Sequence, residues 1–509
     1  MLVAAQSTWQ LHLPLLWLSV AIPMVSGLLS ILLNYRIRDK LHAMLAAVSW
    51  LLSLTLLTYP ALIARDGRVV VDPFWAKMPG IGSFALFLDG ASLPVALSVA
   101  VVSLIISVYS LPYMRHRFHE LGGEQWGLYY LLYQLFTAGM LGAVLSSNGI
   151  LFYLFLEVTL LPSALLIILY GYGERLRVGL IYLIWTHAGA ILFLLGLFLA
   201  KSFDFYVPGQ GYVVDASRSL LALVLVIIGL GIKSAFAGLH FWLPYAHAEA
   251  PTPISALLSP LLIGIGGYAL VRVGPGLFHG VWHHASWPLF LWATLTMIYG
   301  GLLVLVQRDV KRLLAYSSVS QMGYMLFGLA VSNHEALTGS LLHYAAHAYG
   351  KAVLFGAAGA LIVLLGTRSL DDMGGLARSL SYTAGASLLG FMLISGLPPT
   401  LGLWSELYLV FGYAKWAVGL GSMKFALSAL LTITAMTLTV IYSFQTYRVM
   451  FLGAPRNTLR EGIDELGEAK AITLSITLLA VIGVLLFILV AFLAEPASRV
   501  ASRVYEVAG

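Results

Sequence analysis

Gly229-Leu230-Gly231-Ile232-Lys233-Ser234-Ala235-Phe236-Ala237-Gly238-Leu239-His240-Phe241-Trp242-Leu243-Pro244 extends an apolar segment that begins near residue 219. The segment is long enough to cross a bilayer, yet glycine and proline interrupt it and it carries a lysine and an imidazole. Ile394-Ser395-Gly396-Leu397-Pro398-Pro399-Thr400, running on to Trp404-Ser405-Glu406, has the same design. Unwound backbone at membrane depth has to face protein or water, because lipid offers neither donor nor acceptor.

A span needs about 20 mainly apolar residues. Working outward from the two broken segments, candidates fall at 13–33, 42–63, 91–112, 127–146, 149–170, 178–200, 219–238, 253–273, 286–306, 311–332, 337–365, 383–412, 423–451 and 471–494. The broken segments belong to the seventh and twelfth of these. An odd offset makes the two helices run in opposite directions. Paired broken helices of inverted orientation point to a transporter built from inverted repeats, with its site near the midplane. The predicted fold is therefore an all-α polytopic membrane protein of about 14 transmembrane helices with two inverted five-helix repeats. Residues 1–126 hold helices 1–3 and a hairpin near 67–87. Residues 127–273 form the first repeat, 286–451 the second, and 471–509 the last helix and a tail.

Composition agrees with a bilayer as solvent. Of 509 residues, 60% are hydrophobic and 10% charged, with a mean hydropathy of +0.91. A water-soluble domain carries roughly 25% charged residues. The first apolar stretch is followed by Tyr35-Arg36-Ile37-Arg38-Asp39-Lys40 and not by a small-residue cleavage site, so it reads as a retained span. Lys and Arg concentrate on odd-numbered loops and their edges, among them Arg36, Arg38, Arg175, Arg177, Arg308, Lys311, Arg312, Arg456 and Arg460. Even-numbered loops hold fewer, such as Arg218 and Arg272. That asymmetry predicts cytoplasmic odd loops and both termini outside. The net charge of +6 belongs to the loops; no basic cluster with interleaved aromatics predicts nucleic-acid binding. Cysteine is absent, which excludes disulfides, cysteine-ligated iron–sulfur clusters and thiolate zinc sites. Without a glycine-rich nucleotide fingerprint either, no cofactor is expected in this chain.

Charged groups inside spans are expensive and need a reason. Glu157, Lys233, Lys351 and Glu406 all sit within apolar runs. One reading is a relay, in which neighbouring acids and bases shift one another and pass protons. The other is structural salt bridging, or for Lys233 snorkelling to the interface. His343, His347 and Lys351 fall four residues apart along one helical face. Such a stripe can be a proton wire, a packed core pair, or a zinc pair lacking its further ligands. His240 and His247 flank Pro244. His187, in Trp185-Thr186-His187, reads equally as packing or relay. Glu157 and Lys233 are expected to act as an acid–base pair. Pro244 and the Pro398-Pro399 pair are expected to mark the helix breaks.

Several motifs resemble a known family. They are Phe155-Leu156-Glu157-Val158 with Pro162 behind it, Leu243-Pro244-Tyr245-Ala246-His247-Ala248-Glu249-Ala250-Pro251-Thr252-Pro253, and Asp309-Val310-Lys311-Arg312-Leu313-Leu314-Ala315-Tyr316-Ser317-Ser318-Val319-Ser320-Gln321-Met322-Gly323. With His343, His347, Lys351 and Gly396-Leu397-Pro398-Pro399 ahead of Glu406, they resemble the antiporter-like membrane subunits of the respiratory complex I superfamily, over roughly residues 85–455. Relatives include membrane-bound hydrogenases and multi-subunit cation/proton antiporters. The resemblance implies fourteen helices, with spans 4–8 and 9–13 as the repeats, and proton or sodium translocation along a central hydrophilic axis. Glu157 then matches the span-five glutamate, Lys233 the span-seven lysine, Lys351 the bridging lysine and Glu406 the terminal charge. A terminal glutamate and a short C-terminus look like the M-type subunit of the NADH-quinone oxidoreductase. Expected partners are homologous antiporter-like subunits, small helical membrane subunits, and redox subunits elsewhere in the complex. The expected location is an energy-transducing membrane, the prokaryotic plasma membrane. Leu262-Ile263-Gly264-Ile265-Gly266-Gly267 departs from the pattern, offering nothing titratable in span eight. A subunit of a stand-alone antiporter and a non-pumping scaffold subunit are the competing readings.

Overall fold

In a bilayer only a helix satisfies every backbone group within one segment, and helices occupy the apolar runs. The computed structural model describes residues 2–3, 8–33, 39–214, 217, 219–454 and 470–506. The loop cations Arg36, Arg38, Arg218, Arg456 and Arg460 lie outside these residues. Helices α1 (Leu15–Leu32), α2 (Asp39–Arg65) and α3 (Leu93–Leu121) precede the first repeat. That repeat comprises α4 (Trp126–Leu145), α5 (Gly149–Tyr170), α6 (Arg175–Ala200), the broken pair α7 (Leu220–Lys233) and α8 (Trp242–Glu249), and a composite span. The composite span is α9 (Thr252–Leu257), a π-helical turn (Leu258–Leu262) and α10 (Ile263–Leu277). The second repeat comprises α11 (His279–Val306), α12 (Val310–Val331), α13 (His334–Leu365), the broken pair α14 (Ser381–Ile394) and α15 (Leu401–Ala417), and α16 (Ser422–Phe451). Helices α17 (Lys470–Ile488) and α18 (Ala491–Glu506) close the chain.

Among the described residues, 11 helical segments are long and apolar enough to cross a membrane. The 22-residue α12 and the two broken pairs occupy the other positions that the hydropathy pattern marks as crossings. Where the sequence suggested only a tail beyond the last span, α18 forms. Its Ala494, Ala497, Val500 and Ala501 are buried, and Arg503 donates to the Gly67 carbonyl at 3.3 Å.

The repeats share a local signature. Asn148 caps α5, its side-chain oxygen accepting from Ile150 N at 2.7 Å, and pairs across a β-bridge with Asp204, just past α6. Asp309 caps α12, accepting from Lys311 N at 2.9 Å and Arg312 N at 3.0 Å, and pairs across a β-bridge with Ser369, just past α13. In both, a capping side chain satisfies the amides orphaned at the start of a helix. In both, the same residue ties that start to the end of the next helix.

Short strands lie at the connections. Val69–Val71 pairs antiparallel with Phe87–Leu88 and parallel with Thr8–Gln10, while Ala76–Met78 and Gly82–Phe84 form the hairpin between them. Asp72 beside this sheet accepts from Leu16 N at 3.1 Å and Trp17 N at 2.6 Å, capping α1. Arg272, a loop-edge cation by sequence, is buried on α10. It donates to both carboxylate oxygens of Asp89, and Tyr212 donates to Asp89 at 2.8 Å. A bidentate, hydrogen-bonded pair of this kind compensates the desolvation of two buried charges.

Candidate functional site

The first break falls earlier than Pro244. Helix α7 ends at Lys233 and α8 begins at Trp242. Pro244 lies in the first turn of α8, where its missing N–H costs nothing. The unwound segment passes through Ala235 at φ 53° and Gly238 at φ 87°. Its freed carbonyls are met by three indoles: Trp242 donates to Ile232 O at 2.9 Å, Trp292 to Ala237 O at 2.9 Å, and Trp185 to Leu239 O at 3.2 Å. Lys233 is buried at the end of α7, and its Nζ has no hydrogen-bond partner among the described residues.

Glu157 on α5 takes a different direct partner from the one expected. Its Oε2 lies 2.9 Å from Nδ1 of His187 on α6, and the two side chains are 27% and 45% exposed in the isolated chain. Lys233 makes no contact with Glu157 but lies within its electrostatic reach. His240 sits within the break, its ring edge-on to Tyr299 and Tyr316 at 5.2 and 6.1 Å.

The centre of the molecule is held by α13. Lys351 is buried and donates to Leu314 O at 2.9 Å and to the Ser317 hydroxyl, both on α12. His247 of α8 is fully buried, with neither ring nitrogen bonded among the described residues; it stacks on Phe355, one turn beyond Lys351, at 4.8 Å. The broken helix of the first repeat thus reaches the central lysine of the second. To this centre span eight contributes a hydroxyl: Ser259, in the π-helical turn, lies 2.6 Å from Ser318, next to the serine that holds Lys351. His347 is fully buried, with both nitrogens unbonded. His343 stacks on Tyr324 at 4.8 Å, and its Nδ1 lies 3.3 Å from the Ser405 hydroxyl on α15.

Glu406 follows Ser405. Pro398 and Pro399, joined by a cis peptide, lie in the gap between α14 and α15. The Glu406 carboxyl folds back over that gap. A Cβ on Gly396 would lie 2.3 Å from the Glu406 carboxyl carbon, and Gly396 itself has φ 65°. The positive φ favours glycine there, and a larger residue would have to displace the Glu406 carboxyl. A line of titratable groups therefore runs along α13 from Lys351, beside His247, through His347 and His343 to Ser405 and Glu406, while Lys233 stands apart at the first break, paired electrostatically with Glu157.

Lys311 was read from sequence as a loop cation, yet it is buried. Its Nζ donates to the carbonyl of Ala250 and, at 3.5 Å, to that of Ala248, at the end of α8; Arg368 donates to the same Ala248 carbonyl at 2.7 Å. Lys311 floors a cleft of about 510 Å³ that His116, Glu120, Tyr172 and Arg368 also line. The signal in the sequence was the Asp309-Val310-Lys311-Arg312 cap itself, whose geometry turns the lysine inward. Among the described residues, no group of three or more metal-ligating side chains occurs.

A transmembrane-domain model described as NADH:quinone oxidoreductase/Mrp antiporter matches residues 146–432. The chain belongs to this family. A second model, described as the N-terminus of complex I chain 5, matches residues 79–120. NADH-quinone oxidoreductase subunit N of Desulforudis audaxviator is 34% identical over 371 residues, covering 70% of this chain and 71% of that protein. Hydrogenase-4 component B of Escherichia coli is 29% identical over 438 residues, covering 82% of this chain and 64% of its own length. A chain in the structure of the Mrp complex from Dietzia sp. superposes with a TM-score of 0.78 at 24% identity, covering 97% of each chain, which shows a shared fold. The protein is an antiporter-like membrane subunit.

Proposed function

We propose that this chain carries protons or sodium ions through the membrane as one subunit of a larger oxidoreductase complex, with the electron transfer housed in partner subunits. The observation that carries this reading is the buried stretch His247–Lys351–His347–His343–Glu406, which we take to continue to Lys233 at the first break. It crosses both repeats and has a helix break at each end. Glu157, bonded to His187, lies within electrostatic reach of Lys233. The cleft floored by Lys311 serves as an aqueous approach; the excess of Lys and Arg on odd-numbered loops supports a cytoplasmic position for it, with both termini outside. Partners of this kind are membrane subunits, including homologous antiporter-like ones, in a prokaryotic plasma membrane. An M-type role is supported by glutamate at position 406. Likeness to a chain in an Mrp complex favours a second reading, a subunit of an antiporter driven by an ion gradient. Identifying the subunits that co-purify with the tagged chain separates the two: redox subunits support the first, their consistent absence the second.

The relay is tested at Lys351 in the complex reconstituted into vesicles, with ion movement followed by a pH-sensitive dye. Lys351→Ala removes the group, and Lys351→Arg keeps a charge that cannot release its proton. Both are expected to cut translocation at least about tenfold, the range associated with losing a positioned proton carrier, while the complex still assembles. A fully active arginine variant would show that the site needs only a positive charge.

A further inference from the structure

Where α1 and α2 pack against α4, the first helix of the first repeat, they enclose a second line of buried polar side chains that the relay does not use. Ser19, Ser26 and Ser30 lie on the buried face of α1, and His42, Ser49 and Ser53 on that of α2. Each set advances by seven residues and then four, so each forms a stripe along one side of its helix. Two hydrogen bonds fix the antiparallel register: Ser53 Oγ donates to Ser19 O at 2.8 Å, and Ser26 Oγ donates to Leu45 O at 3.1 Å. Carried on by one turn, that register sets Ser30 opposite His42. Gln134 enters the seam from α4, its Nε2 donating to Ser49 Oγ at 2.7 Å and to Ser26 Oγ at 3.4 Å. Gly27 allows this approach, since a Cβ there would stand 3.1 Å from the Gln134 Cβ and 3.2 Å from the Leu131 Cα.

Serines alone would be ordinary packing, because each hydroxyl can bond back to its own helix. Ser30 makes no such bond, and the amide, indole and imidazole atoms of the seam have no such outlet. Gln134 Oε1, Ser30 Oγ, Trp50 Nε1 and both ring nitrogens of His42 are buried without a partner among the described residues, on residues no more than 1% exposed. Buried polar atoms are satisfied by protein or by ordered water. A neutral imidazole presents one donor and one acceptor, an amide oxygen accepts and an indole donates. The cluster can therefore order waters in both hydrogen-bonding senses, as buried water requires. Beyond His42 the seam reaches the Asp39–Arg115 ion pair, 2.5 Å long, whose side chains are 23% and 44% exposed. Asp39, one turn before His42 on α2, lies within its electrostatic reach, so the part-exposed pair marks the aqueous end of the seam.

We propose that α1, α2 and α4 enclose a chain of internal waters running from Gln134 to His42, which puts the His42 imidazole in proton exchange with the aqueous phase independently of the relay. Glu157, Lys351 and Glu406 contribute nothing to this site, so it stands or falls apart from the reading of the repeats.

Hydroxyl-radical footprinting of the intact complex tests it, because radicals generated from internal water oxidise the side chains that water touches. His42 and Trp50 are expected to be oxidised about tenfold faster than Met297, which is equally buried but packed against Gly323 between α11 and α12. Oxidation at or below the Met297 rate overturns the proposal. In Gln134→Leu, the rates at His42 and Trp50 are expected to fall to that of Met297, with half-exposed Trp75 unchanged as a control for folding. Unchanged oxidation of His42 and Trp50 in that variant also overturns it. Should the variant fail to assemble, the comparison within the unaltered chain decides.

Discussion

The two helix breaks solve the same problem with opposite charges and opposite hardware. In the first, eight residues between Lys233 and Trp242 are unwound, and indoles from three helices bond the exposed carbonyls. The charge is a lysine at the C-terminal end of the upstream half-helix, where the peptide dipoles favour a cation. In the second, six residues separate Ile394 from Leu401, two of them prolines that have no N–H to satisfy. The charge is a carboxylate from the downstream half-helix. Helical side chains point toward the N-terminus of their helix, so Glu406 lies back over Gly396 and the positive end of α15. Thus each repeat puts its ion where the broken helix already favours that sign. The charge differs because the two repeats present opposite ends.

This contrast can be broken most forcefully at the ions themselves. Lys233→Met and Glu406→Gln should each lower translocation by more than about tenfold, as expected for losing a positioned proton carrier, with assembly intact on native gels. Retention of more than half the activity by either variant would make that break a packing feature. A smaller effect is expected beside the first break. His187→Leu leaves the Glu157 carboxylate without its 2.9 Å partner, at a site already part-exposed. Translocation should fall several-fold, by an amount on the order of 1 kcal/mol of lost charge-assisted hydrogen bonding. No change would show that Glu157 works through a group on another subunit.

Stability separates the breaks in the same way. Gly396→Ala meets both a positive φ and the Glu406 carboxyl, so it should destabilise the protein by about 2 kcal/mol, read as a lower midpoint in a thermal-shift assay. Trp292→Phe removes one donor to the first break and should cost about 1 kcal/mol. Ala235→Gly should have the smallest effect and the opposite sign. Ala235 sits at φ 53°, a conformation glycine adopts more readily, so the midpoint should hold or rise slightly. A fall comparable to that of Gly396→Ala would mean the first break depends on the Ala235 side chain.

Much of this arrangement was legible from residues alone. The hydropathy of each segment marked the spans, and interrupted apolar runs marked the broken ones. Glu157, Lys233, Lys351 and Glu406 stood out because each interrupts an apolar run that the surrounding sequence marks as a span. What stayed hidden depended on neighbours. The bond from Glu157 to His187 joins two spans at a depth that no spacing within either span encodes. Pro244 looked like the breaker, but proline at a helix start is silent, and the indoles that hold the true break come from α6, α8 and α11. Lys311 and Arg272 read as loop cations because charge near a span end usually reaches water. Here a cleft and a buried carboxylate turn them inward. His247 was found by its place near Pro244, yet its contact with the centre of the second repeat is a product of tertiary packing.

The three indoles around the first break also limit how that region can move. Rewinding residues 234–241 into a continuous helix would strip all three donors from their carbonyls, at roughly 0.5–1.5 kcal/mol each, and would bury the indole nitrogens unpaired. The kink is therefore a fixed corner and not a hinge. Any excursion during turnover falls to the Lys233 side chain, whose four-carbon arm can pivot about that corner while the main chain stays still.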